Sequence, residues 1–196
     1  VANLQRLRHK FLLREAEGYL ELLSLDDEKL RLDLETRRPL LERALSILKP
    51  LDRVGRIGKS DAAAPYLQGE ICRQLERYDE AIGHLRRALE RDPDDVRIYL
   101  ALGWCCKRTD RLDLAIEALE SAMTVAHEEP TVHYNLACYW SLARNVKLAA
   151  RFLASALALD ERFRELVPSE RDFDTVRDAP EFAAALSGSA ISRAAD

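Results

Sequence analysis

Apolar residues return along this chain at the three- and four-residue spacing of helices buried on one side. Over residues 3–24, Leu4, Leu7 and Phe11, then Leu12, Ala16, Tyr19, Leu20 and Leu23, follow that rhythm and predict an amphipathic helix. Leu30, Leu34, Leu41, Leu45 and Leu48 predict a second helix, with Asp26 and Asp27 at its start, where acidic side chains meet exposed amides. Pro39 lacks an amide proton and crowds the preceding turn, so a kink or break is expected there. Further helices are predicted over residues 62–74, 78–90, 96–108, 112–125, 131–142 and 146–159. Turn residues separate them: Arg77, Asp92 with Pro93, Asp110, Glu129 with Pro130, and Asn145. Turns this short make consecutive helices antiparallel neighbours.

Small residues repeat within these helices. Gly69, Gly103 and Ala137 are 34 residues apart, as are Ala81, Ala115 and Ala149, and Ala88, Ala122 and Ala156. A fixed period of this length marks units that bury their apolar faces by stacking on one another. Within each unit, positions 4, 7, 8 and 11 share one helix face, and the small residue at 8 lets the partner helix come close. The second unit carries Tyr99, Leu102-Gly103, Cys106, Ala115, Leu119 and Ala122. The first carries Gly69, Tyr78, Ala81, Leu85, Ala88 and Pro93, and the third Leu136-Ala137, Trp140, Ala149, Leu153 and Ala156. This pattern resembles the tetratricopeptide repeat. It departs from the family at the closing proline, replaced by His127 and Glu161, and at the eleventh position, where Cys72 and Cys106 replace an aromatic residue.

The resemblance implies an all-α fold, a helical-hairpin solenoid forming a right-handed superhelix, with three repeats over residues 62–95, 96–129 and 130–163. The hairpin over residues 1–61 reads either as a cap or as a degenerate repeat. Phe163, Leu166, Phe173, Val176, Phe182 and Leu186 are expected to seal the open end, with Asp178 and Pro180 starting a last short helix. Capping helices are thus expected over 164–187 and a flexible tail over 188–196. The acidic and aromatic string around Phe173 resembles the tail that closes many bacterial members of the family.

In this family, positions 2, 5, 9, 12 and 13 line the concave inner surface. Among them here are Tyr66, Glu70, Arg73, Arg97, Leu100, Trp104, Lys107, Arg108, Tyr134 and Cys138. Four cations face one acid in this set, on a chain whose net charge is −4. Aromatic anchors beside arginine are typical of interface hot spots. The implied role is a protein-interaction scaffold or adaptor that holds a peptide segment with apolar and acidic residues in the groove. A secretion-type chaperone holding a client, and a non-catalytic arm of a larger enzyme or regulator, are the alternatives. Family members that clamp acidic chaperone tails carry Lys and Asn at places held here by Tyr66, Glu70 and Ala101, so that specialisation is not expected.

Composition narrows the classes further. Of 196 residues, 47% are hydrophobic, enough for a continuous core, and seven glycines with seven prolines disfavour a β-rich sandwich. Thirty basic against 34 acidic residues argue against general nucleic-acid binding. No run approaches the roughly 18 apolar residues of a membrane span, and residues 1–14 are too charged for a secretory signal. A cytoplasmic protein without membrane attachment is expected. The chain starts with Val1 in place of methionine, which is compatible with its being part of a longer protein. Cys72, Cys105, Cys106 and Cys138 fall on first helices of stacked units, about 10 Å apart by helix-packing distances, and are expected as free core thiols. His9, His84, His127 and His133 form no ligand pair, no zinc spacing occurs, and no nucleophile with a base assembles from sequence neighbours. No catalytic residue, cofactor or metal is therefore expected. Residues 55–60, Gly-Arg-Ile-Gly-Lys-Ser, tempt a phosphate-site reading, but Arg53 stands where a phosphate loop needs glycine. They read as a basic connector.

Overall fold

The structure is a computed structural model that describes residues 2–24, 33–53 and 62–188. The expected helix start at Asp26 and Asp27, the connector over 55–60 and the tail beyond Gly188 lie outside these residues. Among the described residues all regular structure is helical: α1 (Ala2–Ser24), α2 (Leu34–Leu48), α3 (Ala63–Gln74), α4 (Tyr78–Leu89), α5 (Val96–Arg108), α6 (Leu112–Val125), α7 (Pro130–Leu142), α8 (Val146–Leu159) and α9 (Pro180–Ser187). Short 3-10 turns follow α2 (Lys49–Arg53) and α8 (Glu161–Glu165, Val167–Ser169, Arg171–Phe173).

The 34-residue period is written into the backbone of the turns. Glu76, Asp110 and Arg144, one per repeat, adopt left-handed conformations with φ of 60°, 58° and 59°. The amide after each reaches back to the helix before it: Arg77 N to Cys72 O at 2.8 Å, Arg111 N to Cys106 O at 2.9 Å and Asn145 N to Trp140 O at 2.9 Å. Each is a six-to-one bond that satisfies the last orphan carbonyls of a helix and reverses the chain. The next helix then starts at once, in the third repeat with the Asn145 side chain accepting from Leu148 N at 3.1 Å.

The chain divides into two compact units, Val1–Cys105 and Cys106–Asp196, with the division inside α5. In the first unit α1 packs on α2 and α3, α2 on α3, and α3 on α4. Gly69 permits the close approach of α3 and α4, since a Cβ there would stand 2.7 Å from Leu85 Cγ and Cδ2. Leu41, Ala44 and Leu48 form the fully buried face of α2. Arg37 donates to Gln74 Oε1 at 2.6 Å, and Arg77 pairs with Glu42, tying α2 to the first repeat.

Two expectations change in this unit. α2 begins at Leu34, where Asp33 accepts from Thr36 N at 2.8 Å, and it continues through Pro39. The carbonyl that Pro39 deprives of a partner is that of Glu35, in the exposed first turn, where solvent can satisfy it. The apolar face of α1 is split: Ala16 is buried and Leu12, Tyr19, Leu20 and Leu23 are half-buried, but Leu4, Leu7 and Phe11 are exposed.

In the second unit α7 packs on α6 and α8, and α9 on α8. Leu136, Ala137, Ala149, Leu153 and Ala156 are fully buried in it. The segment after α8 is mostly 3-10 turn, with only α9 as a capping α-helix. Acidic side chains start these turns, Asp160 accepting from Arg162 N and Glu170 from Asp172 N, each two residues on. Arg177 then staples them by donating to Val167 O at 2.9 Å and Glu170 O at 2.7 Å. Phe173, Val176 and Phe182 are buried as expected of a seal, whereas Leu166 is exposed and Val167 takes its place inside.

Candidate functional site

The residues expected on the inner face divide between the units, and the two sets differ. In the first unit, Tyr66, Glu70 and Arg73 share one face of α3, while Arg97, Leu100 and Trp104 share one face of α5. Two cation–aromatic stacks join these helices with the same sequence offset. The Arg97 guanidinium lies 5.3 Å from the Tyr66 ring centre, and that of Arg73 lies 5.2 Å from the Trp104 ring centre. Tyr78 meets Trp104 edge-on at 5.4 Å. All of these aromatic rings stay half-buried, so their free edges remain open.

Neither arginine is without a counter-charge. Arg73 donates to both oxygens of Glu70, at 3.1 and 2.8 Å. Arg97 forks onto Asp95 at 2.9 and 2.7 Å, and Asp95 also accepts from Arg97 N at 3.0 Å as α5 begins. The Arg97 side chain holds the Asp95 carboxyl below the usual carboxylate range, and Asp95 in turn raises Arg97. Burial lifts the Tyr66 hydroxyl above its ordinary value, with Glu70 adding to the effect. Beside Tyr66 and Arg97 opens a depression of about 440 Å³, rimmed by the acids Glu17, Glu21, Asp92 and Asp95.

The second set is closed. Tyr134 is 5% exposed, with Phe163 tilted against it at 4.8 Å and Phe173 edge-on at 5.6 Å. Cys138 is 2% exposed, and burial, reinforced by the carboxylates of Glu170 and Asp172, pushes its thiol far above the ordinary range. The expectation that Tyr134 and Cys138 meet a partner is therefore corrected. The C-terminal turns occupy that face because an unstacked last repeat would leave it in water. Lys107 joins the closure, pairing with Asp172 and lying 5.7 Å from the Tyr139 ring centre, while Arg108 is exposed. Ser141 Oγ donates to Asp172 O at 2.6 Å, and Thr175 Oγ1 to Ser141 O at 2.9 Å.

Asp95 and Asp172 are the residues that the sequence reading missed. Asp95 had a legible signal, since Asp-x-Arg recurs at Asp160 and Arg162 with the same forked geometry. Asp172, 65 residues from Lys107, had none. The thiol of Cys138 and the carboxylates of Glu170 and Asp172 lie within 4.8 Å of one another, a set that a metal ion could use. As they stand, Lys107 engages Asp172, the Asp172 amide engages Glu170, and the thiol is held protonated. A metal would have to displace a lysine and a proton.

Residues 60–128 match the family model of the tetratricopeptide repeat. That match covers about a third of the chain, from the residues before α3 to the end of α6. Solved structures with a similar fold include MamA (19% identity, 76% of this chain and 89% of that one, TM-score 0.58). Another is MamA from Desulfovibrio magneticus RS-1 (19% identity, 88% and 94%, TM-score 0.57). A third is YrrB (19% identity, 86% and 87%, TM-score 0.59), described as a tetratricopeptide repeat protein with an unusual peptide-binding site. At these identities the likeness speaks to the fold. No curated protein matches the sequence. Among the described residues no helix is long and apolar enough to cross a membrane.

Proposed function

We propose that the protein is a non-enzymatic interaction scaffold whose partner, a peptide segment, docks on the open inner face of the first unit. The observation that carries this reading is the contrast between the two sets of inner residues. Around Tyr66, Arg73, Arg97, Leu100 and Trp104 the rings and the Arg73 guanidinium are preorganised and half-exposed and that of Arg97 is exposed, whereas the matching face of the second unit is filled by the chain's own turns. Rigid aromatic groups locked by neighbouring arginines lose little conformational freedom on binding, which favours affinity. The scaffolding role of repeat relatives, and the peptide site named for YrrB, agree with it.

The partner's chemistry follows from the pairing. Apolar side chains would pack on Trp104 and Leu100, which share one face of α5 and are half-buried. A partner carboxylate would compete with Glu70 or Asp95 for its arginine, so the preference for acidic segments is weaker than the count of four cations suggests. The test is affinity capture with the wild type, with Arg97→Glu/Trp104→Ala, and with a control at the exposed Glu117 of α6, read by mass spectrometry. Partners should be kept by the control and lost from the double variant. Equal recovery by all three would sink the proposal.

A further inference from the structure

α1 presents a face that nothing in the described chain covers. Leu4, Leu7, Phe11 and Leu22 are 75%, 62%, 66% and 56% exposed. At 100° per residue they fall, together with Gly18, within about 60° of one another, a stripe roughly 27 Å long. Gly18 weakens an exposed helix, and among the described residues a Cβ there would meet nothing within 4 Å, so packing against the described chain does not account for it. The charges beside the stripe are segregated. Arg6, Arg8 and Lys10 occupy the first half of α1, Arg14 sits near its middle, and Glu15, Glu17 and Glu21 occupy the second half. Arg6, Lys10, Glu17 and Glu21 share one flank, are exposed, and make no ion pair among the described residues.

We propose that this face pairs with α1 of a second copy of the chain, antiparallel, about a two-fold axis near Leu13. A parallel pair would set the basic half against the basic half. The antiparallel pair brings Leu4 beside the second copy's Leu22, and Leu7 beside its Gly18, where the missing side chain leaves room. On the flank, Arg6 meets the second copy's Glu21 and Lys10 meets its Glu17, and the symmetry makes each contact twice. One helix face buries less than the roughly 800 Å² per partner of a standard interface, so the dimer is weak and salt-sensitive. Glu17 and Glu21 also rim the depression beside Tyr66, so pairing alters the charge at the entrance to the proposed peptide site.

The test is sedimentation equilibrium of the whole chain up to about 0.5 mM, in low and high salt, a range suited to an interface of this size. The wild type should dimerise, and Leu7→Glu/Phe11→Glu should be monomeric with an unchanged circular dichroism spectrum. Lys10→Glu and Glu17→Lys should each weaken the dimer about tenfold, because each sets two like-charged pairs face to face. The two together in one chain should restore affinity to near wild type. A monomeric wild type, as expected if an unrelated helix or a lipid surface is the true occupant, overturns the proposal. So does a dimer indifferent to Leu7→Glu/Phe11→Glu, or a charge swap that fails to rescue.

Discussion

Truncating Phe173 to alanine tests how the C-terminal turns close the second unit. The ring is fully buried, 5.6 Å from Tyr134 and 5.0 Å from Phe182 between ring centres. Phe to Ala in such a site costs about 3–5 kcal/mol, including the aromatic pairs at roughly 0.5–1.5 kcal/mol each. The ring ties the turns and α9 to Tyr134 of α7, so the cost should appear as local opening of the turns before it appears as global unfolding. Cys138 reports the opening, since its thiol is buried beside Asp172 and held protonated. With a tenfold change per 1.4 kcal/mol, Phe173→Ala should raise the rate of Cys138 labelling by about a hundredfold or more in native buffer. Cys72, in the first unit, should keep its wild-type rate. Urea unfolding read alongside should show a loss of about 3 kcal/mol or more. An unchanged Cys138 rate, or a loss below about 1 kcal/mol, would mean that Phe173 does not hold the seal.

Other substitutions probe the repeats themselves. Gly69→Val should destabilise by about 2 kcal/mol or more in urea, because Leu85 already stands where the new side chain must go. Arg144→Gly should stabilise by about 1 kcal/mol, seen as a higher melting temperature, since glycine relieves a left-handed residue at φ 59°. Burial pushes the Cys72 thiol up to about 11 from a reference of 9.0, so the folded state holds its proton more tightly than the unfolded one. That stabilisation is fully present below pH 9 and fades as pH rises toward 11, by up to about 3 kcal/mol, and Cys72→Ala should flatten this alkaline decline in urea titrations.

The repeats were legible because period, turn chemistry and burial agree at every level there. α5, α6 and α8 run over the ranges that their apolar spacing and turn residues mark, and the left-handed turn at residues 76, 110 and 144 needs no glycine to be recognised once the phase is known. The segment after α8 was not readable in detail. Its turns depend on acidic side chains two residues ahead and on a long-range staple by Arg177, neither of which leaves a periodic trace. α1 shows a different limit: Leu4, Leu7 and Phe11 carry the same spacing as a buried face, and periodicity cannot say whether a partner lies within the chain or outside it. Repeat position alone selected the candidate set, and its charge was misjudged, because Asp95 and Asp172 sit outside the counted positions.

Site-specific photo-cross-linking tests the central claim most directly. A photoreactive amino acid placed singly at Arg97 or Leu100, on the open face of the first unit, should capture a partner polypeptide. The same residue at Tyr134, beneath the C-terminal turns, or at Glu117 on α6, should capture none. Cross-links confined to Tyr134 or Glu117, with none at Arg97 or Leu100, would contradict the account.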